Sequence, residues 1–66
     1  MVAIYKYRVS LGKTQAELAS EVGVNPNTIS QYESAARKPD IVMLKKLAKA
    51  LNTTTDKLLE PIEADN

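Results

Sequence analysis

Asn27, Thr28, Ser30 and Gln31 crowd amide and hydroxyl groups into one short stretch, and no charged residue occurs from Val22 to Gln31. These groups form hydrogen bonds; they do not break covalent bonds. Asn and Gln each hold a donor beside an acceptor, the arrangement that meets N6 and N7 of adenine, and a good bidentate pair discriminates by about 1–3 kcal/mol. A solvated helix face more often carries Glu and Lys, although on residue types alone a merely polar exposed face remains the alternative. Cations lie to either side, Lys13 before the stretch and Arg37 and Lys38 after it. They suit phosphates, which fix register while base contacts specify. Gln15 stands where free helix-start amides favour an anion.

Other chemistry is poorly supplied. The 66 residues contain no histidine and no cysteine, which removes the usual general base, the thiolate nucleophile and the common zinc ligands. No nucleophile–base pair, metal set or glycine-rich phosphate loop can be assembled, so neither an enzyme nor a cofactor is expected. No apolar run approaches the ~18 residues of a membrane span, and a cytoplasmic protein is expected. The net charge of +1 hides an asymmetry: Glu60, Glu63 and Asp65 lie in the last seven residues, leaving nine bases against five acids, a net of +4, on residues 1–59. A basic body with an acidic tail is compatible with an anionic partner.

Five short helices are needed to position these groups. Ile4, Tyr7 and Leu11 form one stripe of a first helix, which Gly12 stops. Thr14 and Glu17 have capping-box spacing for a second helix that buries Leu18, Ala19 and Val22 and ends at Gly23. Asn25 caps a third, with Pro26 at its first position and Ile29 and Tyr32 inward. That leaves Asn27, Ser30 and Gln31 outward, with Pro26 and Thr28 at the margin and Ser34 just past the end. Asp40 caps a fourth helix with an apolar face of Ile41, Leu44, Leu47, Ala48 and Leu51; Lys45, Lys46 and Lys49 lie opposite, largely a solvated face. Asn52 ends it. Thr53 or Thr54 caps a fifth helix within "TTTDKLLE". Residues 1–60 are expected to form one all-α domain and residues 61–66 a short, flexible acidic tail.

At this point the residues carry a resemblance. "TQAELASEVGVNPNTISQYE" with the following "ESAARKP" is similar to the helix-turn-helix of lambda-repressor-like, Cro/C1-type domains. Thr14, Gln15, Leu18, Ala19, Gly23, Val24, Thr28, Ile29, Ser30, Glu33, Arg37 and Pro39 match that pattern, and "LKKLAKAL" and "DKLL" match further along. The resemblance spans Ile4 to Leu59 without a gap and departs at Ala35, where the family usually has glycine. It implies a five-helix fold with the helix-turn-helix at the second and third helices, a Gln15 that touches the DNA backbone, and a buried ion pair between Arg8 and Glu33.

The expected function is therefore sequence-specific double-stranded DNA binding by a transcriptional regulator, a repressor above all. Pro26, Asn27, Thr28, Ser30 and Gln31 would read bases, and Lys13, Gln15, Ser34, Arg37 and Lys38 would hold phosphates. The resemblance also implies a homodimer on a pseudo-palindrome, its surface expected at Leu58, Leu59 and Ile62. Two alternatives belong to other classes: an antitoxin, whose acidic tail would serve a protein partner, and a protein-interaction module that keeps the fold without DNA.

Overall fold

The computed structural model describes residues 3–59. They form five helices: α1 (Ile4–Ser10), α2 (Gln15–Val22), α3 (Pro26–Glu33), α4 (Ile41–Ala50) and α5 (Thr55–Leu59). The expected tail, with Ile62, lies outside the described residues. No helix among those described is long and apolar enough to cross a membrane.

The starts of α2 to α5 each rest on a side chain that satisfies a free amide, whereas α1 follows Ala3 without one. Thr14 Oγ1 accepts from the Glu17 amide at 3.0 Å while Glu17 Oε1 accepts from the Thr14 amide at 2.8 Å, a complete capping box. Asn25 Oδ1 accepts from the Thr28 amide and Asp40 Oδ1 from the Met43 amide. At α5 the cap is Thr54, whose Oγ1 accepts from the Lys57 amide; the buried Thr53 hydroxyl finds no partner among the described residues.

The helix ends share one device. Beyond α1, α3 and α4 the chain closes with paired bonds back to the last turn: Lys13 N to Arg8 O, Ala36 N to Gln31 O and Thr53 N to Ala48 O, each with a second bond inside it. This motif requires a left-handed residue just past the helix. Gly12, Ala35 and Asn52 take it, with φ of 69°, 65° and 57°, and Gly23 at +80° ends α2. Alanine in this region costs roughly 1–2 kcal/mol because its Cβ crowds the following carbonyl. The departure from glycine at residue 35 therefore leaves the loop's path intact and lowers stability.

Ile4, Leu18, Ile29, Leu47, Leu51 and Leu58 are fully buried, joined by Ala19, Val22, Tyr32, Leu44 and Ala48. α2 packs on α3 and α4, α5 packs on α4, and α1 meets α3. The Ala3 amide donates to the Leu58 carbonyl at 2.8 Å, tying the start of the chain to α5. Two expected stripes are narrower than the spacing suggests. Leu11, past the end of α1, is 45 % exposed, and Ile41, in the first turn of α4, is 60 % exposed; no facing helix reaches either terminus.

Candidate nucleic-acid interface

The α2–α3 corner sets the site. Gly23 permits the sharp turn, Val24 N donates to Ala19 O, and the buried Ala19 lets the two helices approach closely. With Ile29 and Tyr32 buried beneath, α3 leaves Pro26 and Asn27 exposed and Ser30 and Gln31 half-buried on its outer side. Thr28 is more constrained than its neighbours. Its Oγ1 donates to Asn25 Oδ1 at 3.2 Å and its amide donates to the same oxygen, so part of its hydrogen-bonding capacity serves the cap.

At the other end of α3 the loop folds back on the helix. The Gln31 carbonyl accepts from the amides of Ala36 and Arg37 and from Ser34 Oγ. This closure, which depends on the left-handed Ala35, fixes the backbone that carries Arg37 and Lys38, both exposed.

Arg8 and Glu33 hold the same end from beneath. Arg8 Nε donates to Glu33 Oε2 at 2.5 Å and Nη2 to Oε1 at 3.3 Å, a two-point contact, while Nη1 donates to the Lys13 carbonyl at 2.7 Å. This ties α1, the following loop and the end of α3 together. The pair is less deeply placed than the sequence reading expected, since the side chains keep 11 and 9 % of their surface exposed. The hydrogen bond to Glu33 pushes the Arg8 guanidinium above its usual range, against a smaller opposing effect of burial.

Gln15 joins this network, a contact that spacing alone did not reveal: its Nε2 donates to Glu33 Oε1 at 3.0 Å. The start of α2 is thereby fastened to the end of α3, so the Gln15 and Ala16 amides, the Ser34 hydroxyl and the Arg37 loop lie around one end of the helix. A carboxylate oxygen that accepts from Arg8 also sets where the Gln15 amide points.

Two expected site residues need correction. Lys13 does not present its ammonium to this surface. Nζ donates to Glu21 Oε1 and to the Ala50 carbonyl, both at 2.7 Å, where the free carbonyls of the α4 end attract a cation. Lys13 thereby joins α2 to α4. Leu58, expected on a dimer surface, is fully buried in the core, whereas Leu59 is 53 % exposed. Adjacent residues lie about 100° apart around a helix, and spacing did not decide which of the two leucines would face the core.

The helix-turn-helix family model matches residues 4–58. The P22 c2 repressor, solved in complex with a synthetic operator, is 38 % identical and superimposes with a TM-score of 0.82 over 86 % of each chain. SinR, a master regulator of biofilm formation solved in complex with DNA, is 31 % identical with a TM-score of 0.79, over 86 % of this chain and 92 % of that one. An uncharacterized HTH-type transcriptional regulator of Archaeoglobus fulgidus is 43 % identical over 49 residues, 74 % of this chain and 21 % of the relative. The chain spans about a fifth of the length of that relative and just under half of the length of two others, vegetative-specific protein H7 of Dictyostelium discoideum and the RstR repressor of Vibrio cholerae.

Proposed function

Because the chain belongs to the helix-turn-helix family, its fold that of lambda-like repressors, we propose that it is a sequence-specific DNA-binding transcriptional regulator, acting as a repressor. α3 lies in the major groove with Pro26, Asn27, Thr28, Ser30 and Gln31 toward the bases. Asn27 and Gln31 carry most of the discrimination through their amides, while Thr28, held by the cap, contributes chiefly through its methyl. Phosphates are held by Ser34, Arg37 and Lys38 and by Gln15 with the amides that open α2.

The observation that carries this reading is the pairing of an uncharged polar outer face on α3 with exposed cations just past its end, Gln15 being fastened to that end by Glu33 and the Arg37 backbone by the Gln31 carbonyl. The solved repressor–operator and SinR–DNA complexes, to which the fold is similar, support it.

An eight-residue helix spans only a few base pairs, so two copies bind as a homodimer, with half-sites about one helical turn (~10 bp) apart. Selection from a random duplex pool tests this. The expected winner is a pseudo-palindrome with that spacing, and Asn27→Ala should lose about 1–3 kcal/mol on it while binding random DNA as before. Recovery of unrelated sequences, or equal losses on selected and random DNA, would contradict base reading by α3.

A further inference from the structure

Past the end of α3, the loop, α4 and α5 surround a hollow of about 260 Å³. Tyr32, Pro39, Leu44 and Leu59 form its apolar walls, Ala35 adds a methyl, and Arg37 and Lys38 line it as well. Both cations are exposed, and so is Leu59, a large aliphatic residue next to the buried Leu58. The neighbouring acids among the described residues are engaged elsewhere. Glu33 accepts from Arg8 and Gln15, and Asp40 caps α4 through the Met43 amide.

We propose that this hollow binds a small amphipathic carboxylate, its apolar body against Tyr32, Leu44 and Leu59 and its charged end on Arg37 and Lys38. The lining selects that class. Apolar walls take the body of a ligand while a few polar groups orient it, and a guanidinium holds a carboxylate by two parallel hydrogen bonds. Size narrows the choice: the hollow has the volume of about nine waters at ~30 Å³ each, which suits a ligand of roughly ten non-hydrogen atoms. Ala35 supports the assignment independently. Glycine would take the left-handed turn at residue 35 without strain, but only a side chain puts a methyl on the lining, and strain of this kind collects at ligand sites.

Bound there, the carboxylate occupies the two cations that the proposed function assigns to phosphates. Ligand and DNA then compete for Arg37 and Lys38, and the ligand lowers the affinity for DNA. The competition rests on that functional reading; the binding itself does not.

Titration of the full chain with phenylpropanoate, followed by nuclear magnetic resonance, tests the site. The ring should shift the Tyr32, Leu44 and Leu59 signals saturably, and the neutral phenylpropanamide should bind several-fold more weakly. Leu59→Ala and Ala35→Gly should each weaken binding several-fold. The first leaves stability nearly unchanged and the second raises it, so neither loss comes from unfolding. At saturation phenylpropanoate should lower affinity for random duplex several-fold, whereas acetate at the same concentration should not. Absence of saturable shifts, shifts away from the hollow, or equal affinity for acid and amide overturns the proposal. Binding that disappears as the protein is concentrated also overturns it, because a second copy then fills the hollow. Binding with unchanged DNA affinity overturns the competition. If the protein binds no DNA at all, the functional reading falls while the shifts still decide the site.

Discussion

At the residue scale, single side chains decide how the site is held. Ala35 occupies a left-handed position at φ 65°, so Ala35→Gly should stabilise the domain by about 1 kcal/mol. For a domain this small that raises the thermal midpoint by roughly 4–8 °C, read from a melting curve. Glu33→Ala should have a larger effect of the opposite sign. It strands Arg8 and releases Gln15, and a hydrogen-bonded charge of this kind contributes about 1.5–3 kcal/mol. That is less than for a wholly buried pair, because both side chains keep some contact with water. Chemical denaturation measures the loss. The raised Arg8 value fixes a sign: Arg8's share is complete below its unfolded pKa and would fade only as pH rises through the still higher folded value. The Arg8 side of the pair is therefore no pH switch near neutrality. Sequence alone brought Arg8 and Glu33 together only through resemblance. It missed the bonds of Gln15 and Lys13, because a long polar side chain chooses among partners that only the assembled fold presents.

Elements were more legible than side-chain partners. Caps at Thr14, Asn25 and Asp40 and stops at Gly12, Gly23 and Asn52 follow from local chemistry: a short oxygen-bearing side chain before a helix, a residue tolerant of positive φ after it. The structure has all six in those roles. Helix ends were where periodicity misled. Leu11 and Ile41 sit in register with buried residues but beyond the reach of a facing helix, and Leu58 and Leu59 are distinguished only by how α5 docks. Leu58→Ala should therefore cost about 2–5 kcal/mol as a core truncation, while Leu59→Ala leaves stability nearly unchanged; equilibrium unfolding of the two variants compares them. Asn25→Ala removes the cap of α3, at about 0.5–2 kcal/mol, and frees the Thr28 hydroxyl as well.

At the scale of the whole molecule, the function depends on charge being sorted by place. A net charge of +1 conceals a polar, charge-free outer face on α3, exposed cations after α3 and acids later in the sequence than α5. The sorting was legible in the sequence, whereas a hollow beside Arg37 and Lys38 was not, since α3, the loop after it, α4 and α5 build it together. The measurement that tests the account most directly is a salt series of binding to random-sequence duplex by the wild type, Arg37→Ala and Asn27→Ala. The logarithm of the affinity should fall linearly with that of salt, by about 0.9 per phosphate neutralised. Arg37→Ala should flatten the slope by about one contact and Asn27→Ala should leave it unchanged. No binding at low salt, or a slope indifferent to Arg37, would contradict the placement of α3 and its flanking cations on DNA.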